Sequence, residues 1–403
     1  MTSQEIHSGL GKKYKVHSND KPANKGGLNL NEIAVLPEIT ACHPLGRISF
    51  SNYTKMKACL LKGLPDRCIE FSAKPPLFLK SKAQLLGIFF HTMLERVPEL
   101  RKCNLSDRPS LLRKEFDEQL FKFEKKYSSD SRLLGNNSLS KLPETGMVYG
   151  QISRIIFDKN SSPTKNNSEV KITPEKALSS KDGLLFGKTD ALIENGVDKV
   201  IVEHKTSEIF EGKFLKNEFY QQVHFYAELA YEEYETYPTY LIIRGPNQKM
   251  WRNSPDVDTS KQLGADARAI LNLYNSKVNN KESVKNIAQV SNEACGGCQY
   301  QAFCPAYWAR CDEIELSKNI QSLKIKETEI IKGTSSYKNA LKVRVIGGRL
   351  KGKDILINGF YPKRFSNYDH KPGRELMITD LIVDHSNCSG RFIETSQIYK
   401  IAS

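Results

Sequence analysis

Several features that would place this chain in other protein classes are missing from its sequence. No apolar run approaches the roughly 20 residues that a membrane-spanning helix needs. The segment from Met1 to Asn29 is polar and lacks the apolar centre of a secretory signal peptide. No Gly-x4-Gly-Lys-Ser/Thr loop is present, so an ATP-driven step would have to come from a partner. We therefore expect a cytoplasmic protein that does not enter membranes.

Acidic residues are too few to balance the basic ones. Among the 403 residues, 60 Lys and Arg stand against 46 Asp and Glu, which gives a net charge of +14. Half of this excess lies in residues 332–403, where 13 basic residues stand against 6 acidic ones. A basic surface favours binding to phosphate backbones, although a soluble lysine-rich surface has the same composition. The charge agrees with a nucleic-acid partner.

Two short strands joined by a turn form the most informative segment. Residues 187–193 and 200–206 have the composition of strands, and the Asn-Gly pair between them signals a β-hairpin. A loop of four residues pairs Asp190 with Glu203, whereas a loop of two residues shifts the pairing by two positions. Side chains alternate between the faces of a strand, so either register leaves Asp190, Glu203 and Lys205 on one face.

This face has the chemistry of a metal site. Carboxylates of Asp190 and Glu203 on neighbouring strands would be roughly 5 Å apart and would repel each other unless a cation lay between them. Two carboxylates and the backbone carbonyl of His204 form a hard oxygen site suited to Mg²⁺ or Mn²⁺. Lys205 would orient the attacking water and stabilise the negative charge that develops. The alternative is an exposed hairpin with scattered charges.

Two predicted helices add polar side chains to this site. Residues 213–231 have apolar positions at helical spacing, and Gln222 and Tyr226 lie one turn apart on one face. They could contact the catalytic lysine or a nucleic-acid backbone, or they could form the polar edge of a core helix. A second amphipathic helix spans residues 87–95, and its His91 could add an imidazole ligand that favours Mn²⁺. The alternative for His91 is an ordinary core position.

The cysteines form a second candidate metal site. The chain has nine of them, and a disulfide framework is not expected in an intracellular protein of this length. Cys295, Cys298 and Cys304 have the spacing Cys-x2-Cys-x5-Cys, and two glycines among them let the backbone wrap closely around a metal. An iron–sulfur cluster and a zinc site both stay open, and either needs a fourth ligand from a distant part of the sequence.

These motifs resemble the RecB-like branch of the PD-(D/E)XK nuclease superfamily, and within it the iron–sulfur exonucleases of CRISPR adaptation and of AddB-type helicase–nuclease subunits. The likeness covers about residues 46–310. Its motifs follow the family order: a serine-rich turn with one cysteine, Gly-x3-His, Gly-x-x-Asp, Glu-x-Lys, Gln-x3-Tyr and Cys-x2-Cys-x5-Cys. The matching residues are Cys59, Gly87, His91, Gly187, Asp190, Glu203, Lys205, Gln222, Tyr226, Cys295, Cys298 and Cys304. His204 departs from the pattern, because an apolar or acidic residue is commoner there.

The resemblance implies a fold, two cofactors and an activity. It implies an α/β restriction-endonuclease-like core that hydrolyses DNA with Mg²⁺ or Mn²⁺, as an exonuclease on single strands or ends. It also makes Cys59 the fourth ligand of a [4Fe-4S] cluster, with Cys42 and Cys68 as further candidates. A cluster bound by Cys59 and the 295–304 cysteines would close a loop of more than two hundred residues, so its binding would also stabilise the fold.

The resemblance leaves the pathway open. DNA repair, recombination, CRISPR adaptation and defence against phages are all compatible with such a nuclease. One alternative is a non-catalytic scaffold subunit that binds nucleic acid, and another is a nuclease active only with a helicase or integrase partner. The complete set of Asp190, Glu203 and Lys205 argues against the scaffold.

Four regions are predicted along the chain. They are a polar tail (1–30), the nuclease core (31–315), a linker (316–334) that continues a charged helix starting at residue 312, and a small OB-like or SH3-like β-barrel (335–403). In the core, further helices are expected at 111–127 and 258–278, and further strands at 149–157 and 239–244. The barrel strands are expected at 341–346, 354–357, 375–383, 390–394 and 396–401.

Aromatic and basic residues are interleaved in one segment of the predicted barrel. Tyr361, Phe365 and Tyr368 lie among four Lys and Arg residues. Such a mixture suits stacking on the bases of a single strand while the basic groups follow its backbone. The alternative is that these aromatic rings pack on the barrel itself.

Overall fold

The computed structural model describes residues 33–401 except 77, 79, 128–137, 158–169, 315–319, 332–338, 349, 361–367 and 394–395. The predicted tail, Tyr361 and Phe365 lie outside these ranges. The strands are β1 (Ile39–Cys42), β2 (Ile48–Ser49), β3 (Ile69–Phe71), β4 (Lys171–Ser179), β5 (Leu185–Asn195), β6 (Asp198–His204), β7 (Phe210–Glu211), β8 (Phe214–Leu215), β9 (Tyr240–Arg244), β10 (Met250–Asn253), β11 (Ile320–Ile331), β12 (Asn339–Gly347), β13 (Asp354–Phe360), β14 (Glu375–Asp384), β15 (Ser389–Phe392) and β16 (Ile398–Lys400). The α-helices are α1 (Phe50–Ala58), α2 (Lys82–Leu94), α3 (Val97–Lys102), α4 (Arg108–Lys126), α5 (Pro143–Phe157), α6 (Asn217–Tyr234), α7 (Val257–Asn279), α8 (Val284–Ile287), α9 (Asn292–Cys295) and α10 (Pro305–Arg310).

The centre of the molecule is a six-stranded mixed sheet. Its main order is β10-β9-β6-β5-β2, and β4 pairs with β5 as well. Strands β6 and β9 run parallel, whereas β4, β5 and β6 are antiparallel neighbours. Helix α6 packs on β4, β5, β6 and β9, and α7 packs on α6. This mixed α/β architecture is the predicted one, and the helices expected at 87–95, 111–127, 213–231 and 258–278 are present as α2, α4, α6 and α7.

A helical layer made of α2 to α5 has a core of its own. Phe89, Phe116 and Ile152 are buried together there. The strand predicted at 149–157 is wrong, because these residues belong to α5. Its buried positions Val148, Ile152 and Ile156 recur every four residues, and this period becomes visible only when the preceding turn is included.

The C-terminal region is a closed five-stranded barrel. The ring runs β11-β12-β13-β15-β14 and returns to β11. One neighbouring pair, β13 and β15, is parallel, because β15 lies between β13 and β14 in the ring although it follows β14 in the chain. This Greek-key connection agrees with the OB-like form of the two predicted barrels. The run predicted at 396–401 lies outside the ring, where it pairs with β14 as β16.

The predicted linker is the first strand of this barrel. Residues 320–331 form β11, which pairs with both β12 and β14, so a charged helix and linker over 312–334 is wrong. Leu323 and Ile325 are buried in the barrel core, while Lys324 between them is half-buried and Lys326 is exposed. Alternating apolar and charged residues therefore form a strand here, with one face in the core.

The barrel packs directly on the nuclease core. Met377 and Tyr399 of the barrel belong to the hydrophobic cluster of the nuclease domain, and the Tyr399 ring lies 5.5 Å from that of Phe303. The backbone at Ala34 and Leu36 exchanges hydrogen bonds with Lys400 of β16. The parts of the chain before and after the predicted boundary at residue 315 therefore share a packed interface. No helix in the described part of the chain is long and apolar enough to cross a membrane.

Candidate active site

The hairpin of β5 and β6 has the register that a four-residue loop predicts. Glu194 pairs with Lys199, which places Asp190 opposite Glu203. The side chain of Asp190 is 6% exposed and that of Glu203 is 2% exposed. Two carboxylates are thus buried on neighbouring strands, where each must find a positively charged or hydrogen-bonding partner.

The carboxylate of Asp190 is held by a histidine and by the next strand. Its Oδ1 lies 3.1 Å from Nδ1 of His91 in α2, and its Oδ2 accepts a 2.6 Å hydrogen bond from the backbone N–H of His204. Burial raises the pKa of Asp190, but the contacts with His91 and His204 outweigh burial and leave this pKa below its usual range. Burial lowers the pKa of His91, but the carboxylates of Asp190 and Glu175 raise it to about 10.

Helix α2 fixes the position of His91. Ser81 and Gln84 form a reciprocal capping box at its start, which satisfies backbone N–H groups that the first turn leaves open. Phe89 and Phe90 are almost fully buried. The helix is therefore anchored immediately before His91, and the histidine is presented to the hairpin at the rim of the sheet.

A second polar network lies beside the first. Nζ of Lys205 donates hydrogen bonds to Oε2 of Glu203 at 3.1 Å and to Oε1 of Gln222 at 2.8 Å. Nε2 of Gln222 donates to the hydroxyl of Tyr226 at 3.0 Å. Burial and the charge of Asp190 raise the pKa of Glu203 to about 7. The predicted residues of β6 and α6 therefore meet around the ammonium of Lys205.

Gly187 allows α6 to lie this close to the hairpin. A Cβ atom at position 187 would be 2.6 Å from Cε1 of Tyr226 and 3.1 Å from Cδ1 of Leu229. Any larger residue would push the helix, and Gln222 with it, away from Lys205. Close packing against Tyr226 therefore explains why the first position of the Gly-x-x-Asp motif is a glycine here.

Glu175 is a site residue that the sequence motifs did not reveal. It lies in β4 at the position opposite Asp190, because Pro174 pairs with Ala191 and Lys176 with Thr189. Its side chain is 12% exposed, and its Oε1 lies 3.6 Å from Nδ1 of His91. The sequence held one usable signal. The Asp-Gly turn at 182–183 joins β4 to β5, and counting back from that turn would have placed an acidic residue opposite Asp190.

Three of these side chains form a group that fits a divalent cation. The ligand atoms of His91, Glu175 and Asp190 lie within 4.8 Å of one another, and among the described residues no other group of three His, Cys, Asp or Glu does so. Oε1 of Glu175 is buried and accepts no hydrogen bond. Two carboxylates and an imidazole are donors that suit Mn²⁺ or Mg²⁺.

Two of the predicted metal ligands stand outside this group. Glu203 is turned toward Lys205 and Gln222, and its Oε1 accepts a 3.2 Å hydrogen bond from the backbone N–H of Asp190. His204 contacts Asp190 through its backbone N–H. Burial lowers the pKa of the His204 side chain to about 4, so its ring is neutral. That the carbonyl of His204 binds a metal stays a prediction.

The cysteine motif lies at the junction of the nuclease core and the barrel. Cys59 follows the last residue of α1, Cys295 ends α9, and Cys304 immediately precedes α10. Gly297, with a φ of +65°, turns the chain between Cys295 and Cys298 in a left-handed conformation that suits glycine. Residues far apart in sequence are therefore brought to one place.

The four cysteines influence one another electrostatically. Burial, together with the neighbouring Cys59, raises the pKa of Cys298 to about 12 and that of Cys304 to about 11. Cys59 also raises the pKa of Cys295. The Sγ of Cys59 accepts a 3.3 Å hydrogen bond from the backbone N–H of Gln289. Cys42 is close as well, and burial with Cys304, Cys68 and Cys59 nearby raises its pKa to about 12.

A cavity of about 570 Å³ adjoins Lys205. Its cationic side chains are Lys205, Arg154, Arg244 and Lys249, and its larger apolar ones are Phe90, Phe157 and Met250. A second, mainly apolar cavity of about 450 Å³ shares His204 and Arg244 with it and reaches Asp190. Space for a ligand with both negative charge and apolar surface therefore lies next to the polar networks.

Comparisons with known proteins identify the family. No curated protein matches this chain in sequence. One solved structure, titled "Crystal structure of SSO0001", aligns over 55% of this chain and 96% of its own with 18% identity and a TM-score of 0.23. The family model of the PD-(D/E)XK nuclease superfamily matches residues 47–305, which include both polar networks and the cysteine motif. The chain therefore belongs to the PD-(D/E)XK nuclease superfamily.

Proposed function

We propose that this protein is a metal-dependent DNA nuclease of the RecB-like branch, acting as an exonuclease on single-stranded DNA or DNA ends. The observation that carries the proposal is the position of Lys205. Its ammonium is fixed by Glu203 and Gln222 beside the partly buried group of His91, Glu175 and Asp190. A lysine next to a cation-binding group is what phosphodiester hydrolysis needs.

The residues of the site have separate tasks in this proposal. A divalent cation, when bound, polarises a phosphate oxygen and makes water more acidic. Lys205 stabilises the negative charge that forms at the phosphate and orients the attacking water. Gln222 holds Lys205 in place, and Tyr226 holds Gln222. Glu203, whose pKa burial and the charge of Asp190 raise to about 7, accepts the hydrogen bond of Lys205 through Oε2 and so holds the ammonium in position.

The cavity beside Lys205 supports a single strand or a frayed end as substrate. Arg154 and Lys249 can bind phosphates on either side of the site, while Phe90 and Phe157 offer apolar surface to a base. A cavity of about 570 Å³ suits a nucleotide unit, which agrees with a single strand or a frayed end as substrate.

The cysteine motif supports a [4Fe-4S] cluster bound by Cys59, Cys295, Cys298 and Cys304. Cys59 acts electrostatically on each of Cys295, Cys298 and Cys304, which supports one shared centre for the four thiols. Cys42 and Cys68 are the other candidates for the fourth ligand. Metal bound here would join α1 to α9 and α10 and stabilise the fold.

The proposed activity is compatible with several biological pathways. A DNA-degrading enzyme without a phosphate-binding loop of its own fits DNA repair, recombination, CRISPR adaptation or defence against phages, alone or with a helicase or integrase. DNA is the partner that the family and the basic surface both favour.

A cleavage assay tests the proposal. Protein purified without oxygen is incubated with DNA labelled at either the 5′ or the 3′ end, as single and double strands, with Mg²⁺, Mn²⁺ or EDTA. We expect metal-dependent release of short products from single strands and from ends. Internal cleavage of closed circular single strands would contradict the exonuclease, and absence of any cleavage would favour a scaffold.

A further inference from the structure

We propose that Glu175 is a metal ligand in its own right, so that the cation site of this chain consists of His91, Glu175 and Asp190. This inference rests on the proposed nuclease function, because it adds a residue to the same site. None of the six motifs includes Glu175. It lies on a third strand, beside the hairpin that carries Asp190 and Glu203.

The backbone brings Glu175 to this position at a cost. Its φ is +50°, although it lies within a β-strand and is not glycine. A left-handed residue of this kind costs on the order of 1–3 kcal/mol and persists only where its surroundings compensate. The residues on both sides, Pro174 and Lys176, stay in register with β5. The distortion is therefore confined to the single residue that faces Asp190.

The side chain of Glu175 is only half satisfied without a cation. Its Oε2 is paired with Nζ of Lys188. Its Oε1 is buried and accepts no hydrogen bond. The nearest donor is Nδ1 of His91 at 3.6 Å, but that nitrogen lies closer to Asp190, at 3.1 Å. One N–H cannot serve two carboxylates, so the arrangement leaves one carboxylate oxygen without a donor.

A divalent cation removes this conflict. It would bind Oε1 of Glu175 and a carboxylate oxygen of Asp190, with His91 as a neutral imidazole ligand. Lys188 keeps Oε2 occupied, so Glu175 would bind through one oxygen. An imidazole among the ligands favours Mn²⁺ over Mg²⁺. Asp190 lies between Glu175 and Glu203 and so links the cation to the network of Lys205.

Direct measurement of metal binding in the absence of DNA tests this inference. Mn²⁺ is titrated into the full chain, and free Mn²⁺ is measured from its electron paramagnetic resonance signal. We expect Glu175→Gln to weaken Mn²⁺ binding about tenfold or more, and Asp190→Asn to weaken it at least as much. Glu194→Gln is the matched control, because Glu194 lies on the same hairpin but pairs with Lys171 at 3.0 Å. It should bind Mn²⁺ as the wild type does.

Lys188→Met separates a ligand from a mere ion-pair partner. If Glu175 is a ligand, Lys188→Met binds Mn²⁺ at least as well as the wild type, while Glu175→Gln and the shorter Glu175→Asp both bind it more weakly. If Glu175 serves only Lys188, then Lys188→Met and Glu175→Gln lower the melting temperature in EDTA equally and leave Mn²⁺ affinity unchanged. That result would overturn the inference.

The same titration keeps the inference distinct from the proposed function. Mn²⁺ binding that depends on Glu175 in a chain that cleaves no DNA would support the site and contradict the nuclease. Cleavage by a Glu175→Gln variant with unchanged Mn²⁺ affinity would support the nuclease and contradict the site.

Discussion

The molecule has two groups of side chains that we propose as metal ligands, and they are built in opposite ways. The site around Asp190 holds hard oxygen and nitrogen donors within 4.8 Å of one another. Its residues lie in α2, β4 and β5, and Lys205, which directly follows β6, lies beside it. The site around Cys298 has soft sulfur donors, and it joins residues from both ends of the nuclease core.

The two sites are therefore expected to have different roles, catalysis at the first and stabilisation of the fold at the second. The first site adjoins a cavity of about 570 Å³ that cationic side chains line. The second is tied to the barrel by Gln301, whose side chain donates to the carbonyl of Cys295 at 3.0 Å and accepts from the N–H of Ser322 in the barrel at 2.7 Å. Changes at the first site should therefore alter reaction rates, and changes at the second should alter stability.

The largest expected effect is on cleavage at the first site. Lys205→Met keeps the length of the side chain but removes its ammonium. Cleavage should fall by several orders of magnitude, because the cation and the lysine act as one unit. Mn²⁺ affinity should stay close to that of the wild type, whereas the melting temperature should fall because buried Glu203 loses its charged partner. A cleavage rate within tenfold of the wild-type rate would contradict the catalytic role of the site around Asp190. Lys213→Met, at an exposed position, is the control and should cleave as the wild type does.

The next effect is on stability at the second site. Protein purified without oxygen should be brown, with broad absorption near about 400 nm from sulfur-to-iron charge transfer. Cys59→Ser should remove the colour and lower the melting temperature, because the bound cluster also stabilises the fold. The matched control is Cys103→Ser, far from the motif and only partly buried. A colourless wild-type protein with one zinc per chain would replace the iron–sulfur centre by a zinc site.

A smaller effect concerns the junction between the second site and the barrel. Tyr399 is 5% exposed and packs edge-on against Phe303, the residue before Cys304. Tyr399→Ala should lower the free energy of unfolding by about 3 kcal/mol, as expected for a buried aromatic residue cut back to alanine. Cleavage per folded molecule should not change. Phe214→Ala, at a side chain that is 81% exposed, should leave stability unchanged. Equal stability of the two variants would contradict the docking of the barrel.

The smallest effect is a pH dependence of the strand pair that carries Glu175 and Asp190. Asp182, in the turn between β4 and β5, binds Arg268 of α7, and this contact holds the pKa of Asp182 well below its usual range. The pKa of an aspartic acid side chain is ordinarily about 3.9. Its contribution is therefore present above that pH and is lost as the pH falls below it.

The test compares the melting temperatures of the wild type and Asp182→Asn between pH 7 and pH 3. The wild type should melt higher at pH 7, and the difference should shrink below pH 4. It should be small throughout, because the Asp182 side chain is 40% exposed and the pair is screened by solvent. A difference in melting temperature that grows as the pH falls would contradict the stabilising role of the ionised Asp182.

The part of the site that could be predicted lies within single turns and hairpins. Asp190 and Glu203 are aligned by one turn, and Gln222 and Tyr226 by one helical period, so local spacing was enough. Glu175 was missed because its place depends on the register of a third strand. That register becomes readable only when the turn before β5 is counted as carefully as the turn after it.

The parts of the fold that were predicted wrongly depend on distant partners. In β11 the buried Glu327 interrupts the apolar alternation, so the segment has the composition of a charged linker. Its charge is paired with that of Arg374, 2.6 Å away, and its other oxygen accepts a hydrogen bond from the hydroxyl of Tyr368. Tyr368 is thereby tied to the barrel and also packs on Phe360, 5.0 Å away. This favours the packing role over base stacking for that aromatic residue.

The central claim is that the site around Asp190 binds a divalent cation and uses it to cut DNA ends. The most direct measurement is single-turnover cleavage of 5′-labelled single-stranded DNA by the wild type and Asp190→Asn, over a series of Mn²⁺ concentrations. We expect the wild-type rate to rise and saturate with Mn²⁺ and to vanish in EDTA. Asp190→Asn should stay inactive across the series while remaining folded in EDTA, although it should melt somewhat lower than the wild type because it loses the ion pair with His91. Cleavage that persists in EDTA, or equally fast in Asp190→Asn, would contradict the account.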